Sequence, residues 1–147
     1  MTFLLDVNVL IALTYPDHAL HAQAHAWFNP ARHWATCPAT QAGFVRLAAR
    51  LSGTENREGV RNGLSALELA CASPKHEFWP MTVDLRHLRA VHRKKLLGHQ
   101  QVADIQLLEL AHRRGGQLAT FDARIGELAT GTDRASSVLV LRGAPGY

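Results

Sequence analysis

The sequence predicts an α/β fold in three layers, a mostly parallel sheet of about five short strands flanked by helices. Short apolar runs alternate along the chain with stretches whose apolar residues recur at helical spacing. No repeat or low-complexity linker interrupts that alternation. The 147 residues are therefore expected to form one domain, 1–147, long enough to bury a real core.

Residues 2–6 read as a buried first strand, a continuous apolar run that closes on an acid. The string Asp6-Val7-Asn8-Val9-Leu10-Ile11-Ala12-Leu13 turns off it into a short helix, ended by Pro16. Asp17 offers the N-cap of a second helix over 18–28, which Asn29-Pro30 stops. Trp34-Ala35-Thr36-Cys37 fits a second strand. Thr40 offers the N-cap of the next helix, with Phe44, Val45, Leu47 and Leu51 on one side. A further helix is expected over 58–72, where Val60, Leu64, Leu67 and Cys71 repeat at helical spacing. Residues 77–81 form a weak third strand. A short helix over 84–91 precedes a long one over 102–113, which Gly115-Gly116 stops. Residues 117–121 and 137–141 complete the strands.

Composition narrows the function classes. With 47% hydrophobic and 19% charged residues, the chain reads as an ordinary globular protein. No apolar stretch approaches the roughly 20 residues of a membrane span, and Asp6 interrupts the apolar N-terminus, so neither membrane nor secretory signal is expected. Cys37 and Cys71 lack metal-ligand spacing and are expected to be buried reduced thiols. Together these point to the cytoplasm. Formal net charge is +4 and the pI about 9.6, which favours a polyanionic partner. Arg86, His87, Arg89, His92, Arg93, Lys94 and Lys95 cluster just ahead of Asp104. They are either a solvated face or an RNA-holding rim in which Arg89, Arg93 and Lys94 are the candidates.

Three carboxylates carry the chemistry. Asp6 ends the first strand, Asp104 opens the long helix and Asp122 closes the strand over 117–121. Each alone is an ordinary cap or turn residue. Together they fall where the ends of parallel strands converge, and converging carboxylates repel unless a cation neutralises them. Hard oxygen donors of that kind suit Mg²⁺ or Mn²⁺. His18, His21 and His25 share one helix face, but lack the fourth ligand of a zinc site and are expected to form a polar face. No glycine-rich phosphate loop is present, and neither cysteine has a base at recognisable spacing.

The strings Leu4-Leu5-Asp6-Val7-Asn8-Val9-Leu10-Ile11-Ala12-Leu13, Cys37-Pro38-Ala39-Thr40-Gln41-Ala42-Gly43-Phe44-Val45-Arg46-Leu47, 99–111 around Asp104, and Leu118-Ala119-Thr120-Phe121-Asp122 resemble PIN-domain proteins. In particular they resemble the VapC-type toxins of bacterial toxin–antitoxin pairs, in order, spacing and element type. The resemblance implies a PIN-like endoribonuclease using Mg²⁺ or Mn²⁺, dimeric, and held inactive by a cognate antitoxin. By position, Asp6, Asp104 and Asp122 match the family's catalytic metal-site acids, and Asn8 and Thr120 match supporting polar residues. Where the family commonly has a glutamate, this chain has Gln41, which keeps a carbonyl oxygen but cannot act as a base. The alternative is a PIN-fold RNA- or protein-binding module whose catalysis Gln41 has impaired. A third reading, a phosphatase-like enzyme, would form an acyl-phosphate on Asp6. Transfer, ribosomal and messenger RNA stay equally open as targets.

Overall fold

A computed structural model describes residues 1–53 and 57–142 of the chain. Among them lie five strands, β1 (Thr2–Leu5), β2 (His33–Thr36), β3 (His76–Phe78), β4 (Gln117–Thr120) and β5 (Val138–Val140). They pair in the order β3-β2-β1-β4-β5, every pair parallel. The helices are α1 (Val7–Thr14), α2 (His21–Trp27), α3 (Pro38–Leu51), α4 (Arg57–Cys71), α5 (Ala90–Arg93), α6 (Gln101–Arg113) and α7 (Ala123–Ala129).

Alternate strand residues point to opposite faces, and both faces are covered. Phe3, Leu5, Trp34 and Ala119 pack with Val9, Leu10, Ile11 and Phe44 of α1 and α3. Leu4, Ala35 and Leu118 pack on the other side with Ile105, Leu108, Ile125 and Leu128 of α6 and α7. Burial on two sides is why Phe3-Leu4-Leu5 of β1 are apolar at consecutive rather than alternate positions. Connections from β1 run outward to β2 and β3, whereas those from β4 run the opposite way to β5. The crevice outside the carboxyl ends of β1 and β4 is therefore the topological switch point, where an open parallel sheet binds its ligand.

Local structure departs from the sequence expectation in four places. The second helix starts at His21 rather than His18, and Leu20, not Asp17, precedes it. His18 Nδ1 accepts the Leu20 N–H at 3.0 Å, so consecutive turns after Pro16 use the backbone groups a helix would need. The His21 and His25 rings instead meet the carbonyls of Ala12 and Leu13, at 2.7 and 2.9 Å, and so cap the end of α1.

Second, α3 begins at Pro38, the favoured first position for proline, and Thr40 sits in its first turn. There the Thr40 hydroxyl accepts the Cys37 N–H at 2.9 Å. Third, α4 has the expected span but only the C-terminal half of the expected face, since Leu67 and Cys71 pack against the core and Val60 and Leu64 do not. Val60 and Leu64 are 40% and 48% exposed and Leu51 of α3 is 56% exposed, while Gly59 and Gly63 are buried. A Cβ on Gly63 would stand 3.2 Å from the Val45 carbonyl oxygen, so a bare glycine sets how closely α4 meets α3. Fourth, the helix expected over 84–91 is split. Asp84 caps a single 3-10 turn, Leu85–His87, and extended backbone at Leu88 and Arg89 separates it from α5.

A buried ionic cluster ties α5 to α6 and the chain ahead of β5. Arg134 Nε donates to Glu109 Oε1 at 2.9 Å, and the fully buried His92 ring lies 3.2 Å from the same oxygen. No helix among the described residues is long and apolar enough to cross a membrane.

Candidate active site

The first strand delivers Asp6 to the switch point. Its N–H continues the β1–β4 ladder to the Ala119 carbonyl at 3.0 Å, and its side chain caps α1 by accepting the Val7 N–H at 2.8 Å. The helix therefore starts where the strand stops, which fixes the carboxylate at the rim. Gly43 of α3 lets that helix close on α1 beside it, since a Cβ there would come within 2.6 Å of Val7 Cγ2.

Thr120, the fully buried last residue of β4, joins two of the acids. Its hydroxyl donates to Asp6 Oδ2 at 2.7 Å and accepts the Asp122 N–H at 3.0 Å. Asn8 Oδ1 accepts the Phe121 N–H at 3.4 Å, a long bond that links α1 to the same turn. Asp122 caps α7 by accepting the Arg124 N–H at 2.9 Å. The Arg124 guanidinium then closes back on it, with Nε 3.1 Å from Oδ1 and Nη2 2.9 Å from Oδ2.

Asp104 enters from the first turn of α6, and its carboxylate has no hydrogen-bond or ion-pair partner among the described residues. Burial pushes its carboxyl up to about 6, and the charges of Asp6 and Asp122 add to that; Arg124 pulls the other way. Asp6 is also raised, chiefly by burial and against the pull of Thr120 and Val7, with Asp122 adding repulsion. Asp122 is lowered, mainly because Arg124 bonds to its charged form. The three carboxylates thus feel one another across a half-buried crevice, and one of them is unpartnered.

Among the described residues no three His, Cys, Asp or Glu side chains are gathered into a ready-made ligand set. The donors nonetheless suit a hydrated divalent cation, which takes one or two carboxylates directly and keeps several waters. Asp104 offers both its oxygens, and each oxygen of Asp6 has one lone pair committed and another to give.

Other candidate residues lie differently. The Gln41 amide donates to Thr36 Oγ1 at 3.0 Å, and that hydroxyl also meets His76 Nε2 at 2.8 Å. Its side chain is thereby anchored to the ends of β2 and β3. Arg89 pairs with Asp133 at 3.0 Å, and Arg93 donates to the carbonyls of Leu88 and Arg86, while Lys94 is exposed. Of the thiols, Cys37 is buried and Cys71 half-buried, both free.

Arg124 was not among the residues the sequence singled out. Its signal was present in the spacing Asp122-Ala123-Arg124, an N-cap acid with an arginine two residues on. Asp84-Leu85-Arg86 repeats that spacing and forms the same fork, with Arg86 Nε 3.1 Å and Nη2 2.7 Å from Asp84 Oδ2.

Comparison with known proteins agrees with this architecture. The PIN domain family model matches residues 3–131. The chain is 40% identical over 132 residues to Ribonuclease VapC39 of Mycobacterium tuberculosis, covering 88% of this chain and 95% of that protein. It is 39% identical over 128 residues to Ribonuclease VapC38 of the same organism, covering 86% and 89%. With Ribonuclease VapC29, again from Mycobacterium tuberculosis, identity is 41% over 129 residues, covering 87% and 91%. With a parallel sheet whose switch point carries the acids and a family match over most of its length, the chain belongs to the PIN-domain family, alongside proteins named as VapC ribonucleases.

Proposed function

We propose that this protein is a Mg²⁺- or Mn²⁺-dependent endoribonuclease that acts in the cytoplasm as the toxin of a toxin–antitoxin pair. The observation that carries the reading is the unpartnered Asp104 carboxylate, coupled to Asp6 and Asp122 at the switch point. The similarity to VapC ribonucleases supports RNA as substrate and an antitoxin as protein partner. The homodimer follows from the family resemblance alone.

A bound divalent cation would supply charge to polarise a scissile phosphate and to make hydroxide from water near neutral pH. Asp104 and Asp6 are the direct ligands in this reading, and Asp122 acts directly or through water. Thr120 holds the Asp6 carboxylate in one orientation and the Asp122 backbone in register with it. Asn8 secures the turn that carries Phe121 and Asp122. Gln41 keeps the end of β2 in place through Thr36 and takes no proton. Of the basic residues proposed for RNA, Lys94 is the readiest to reach a phosphate, because Arg89 and Arg93 already hold protein partners.

The second reading, a PIN-fold binding module without efficient cleavage, is favoured by one observation: no three-carboxylate ligand set is already gathered among the described residues. Mn²⁺ binding to the purified, antitoxin-free protein, measured beside Asp104→Asn, separates the two. Binding by the natural protein and not by the variant supports the nuclease, and RNA screening follows. Absence of binding in both favours the module.

A further inference from the structure

We infer that Arg124 is a substrate-binding residue that exchanges partners, gripping Asp122 in the metal-free protein and a nucleic-acid phosphate once a divalent cation has taken over that carboxylate's charge. The inference rests on the metal-dependent reading above and adds to it a residue and a coupling.

The Asp122–Arg124 grip is easy to release. The Arg124 side chain is 69% exposed, and an ion pair so open to water and screening holds weakly. Asp122 would keep its capping bond to the Arg124 backbone N–H after the guanidinium left, so α7 does not depend on the fork. The destination is adjacent. Asp104 and Arg124 line one cleft of about 250 Å³ whose remaining wall is the segment 97–101. Within that lining, Arg124 is the permanent cation; His99 is the other basic side chain.

Charge sets the order of events. Three ionised aspartates and one arginine leave an excess of negative charge, which a divalent cation cancels. An ion held at Asp122 repels Arg124 and competes with it for the same carboxylate oxygens, so the fork loosens. A phosphodiester brings the negative charge that re-pairs it, and the planar fork fits two phosphate oxygens as it fits two carboxylate oxygens. Local sequence alone explains the resting pair, because Arg86 makes the same fork on Asp84. Neighbourhood separates them: Arg86 does not line the cleft that holds Asp104.

The test uses the full chain free of antitoxin, with Mn²⁺ and a short fluorescent single-stranded DNA as the phosphodiester probe. Mn²⁺ affinity is measured by titration in the natural protein, Arg124→Ala, Arg124→Lys, Arg86→Ala and Asp104→Asn. Arg124→Ala is expected to bind Mn²⁺ about threefold or more tightly, because a competing cation is gone. Arg124→Lys and Arg86→Ala are expected to match the natural protein. In the natural protein Mn²⁺ should tighten DNA binding, a reciprocal coupling that Arg124→Ala loses and that Arg124→Lys, lacking the fork, restores only in part. Unchanged Mn²⁺ affinity in Arg124→Ala, or metal-dependent DNA binding that survives it, overturns the exchange while Asp104-dependent Mn²⁺ binding leaves the metal site standing. Mn²⁺ binding that is absent from the natural protein, or indifferent to Asp104→Asn, overturns both.

Discussion

Replacing Asp104 by asparagine should make the metal-free protein more stable, although it removes the residue on which the proposed chemistry rests. The Asp104 carboxyl is pushed from its ordinary 3.8 up to about 6 by burial and by two neighbouring carboxylates. A shift of that size corresponds to about 3 kcal/mol at about 1.4 kcal/mol per unit. Asp104 is half-buried, so solvent screening reduces this to about 1 kcal/mol, or about 2–4 °C in melting temperature for a chain of this size. The folded carboxyl binds its proton more tightly than the unfolded one. Its contribution is therefore favourable below pH 3.8 and is lost as pH rises through about 6. Thermal melts in EDTA should show the asparagine variant ahead near neutral pH and the gap closing as pH approaches about 4. Saturating Mn²⁺ should reverse the order, since an ion at a hundredfold its Kd adds about 2.7 kcal/mol to the natural protein alone. A variant no more stable than the natural protein at neutral pH, or a gap undiminished at low pH, would refute the mutual repulsion of these acids.

Gln41→Glu is expected to change Mn²⁺ affinity by less than about threefold, because the Thr36 hydroxyl that accepts from the amide can turn its proton and donate to a carboxylate in the same place. Tenfold tightening would bring position 41 into the metal site. Thr120→Val removes a donor from Asp6 and an acceptor from the Asp122 N–H, at an expected cost of about 2–3 kcal/mol in chemical denaturation, together with weaker Mn²⁺ binding. Equal stability would show that water replaces the hydroxyl. Glu109→Ala leaves the Arg134 guanidinium with its more exposed partner Asp133, 2.9 Å away, and should cost about 2–3 kcal/mol. Interaction with Arg134 lowers the Glu109 carboxyl despite the opposing effect of burial, and burial lowers the His92 imidazole, so this cluster's stability is present at neutral pH. It falls as pH drops below 6.5 and then through 4.5. A flat stability profile between those values would contradict the buried cluster.

Patterns local to a few residues were readable in the sequence wherever one interaction dominated. The apolar run Phe3-Leu4-Leu5 and the short strand-like run 117–121 marked strands covered on both faces, and the acids closing them had to lie on one rim once the strands were parallel. The face of α4 was readable at Leu67 and Cys71 but not at Val60 and Leu64, because periodicity gives spacing and says nothing of where along the stripe the neighbour lies. Gly63 allowed a close approach that no apolar stripe announces. The start of α2 was lost to a competition within the turn, where the His18 ring took the Leu20 N–H that an Asp17 cap would have accepted. Gln41 could be placed in the first turn of a helix, but its partner Thr36 stands on a neighbouring strand, and that pairing exists only in the folded chain.

The same reasoning explains why Arg124 escaped notice while Asp122 did not. An acid at a strand end is marked by the fold that presents it, whereas an arginine two residues past an N-cap forms the same fork at Asp84 and at Asp122. Only the tertiary neighbourhood distinguishes them, and that neighbourhood is electrostatic. Asp6 and Asp104 are both raised by burial and by carboxylates from distant segments, so the folded chain holds repulsion that its own backbone cannot relieve. Arg124 relieves it on one side, at Asp122. A site built this way is least stable when empty of cations. That makes metal affinity, protein stability and the position of one arginine three readings of a single balance, and a variant that moves one must move the others in the direction the charges dictate.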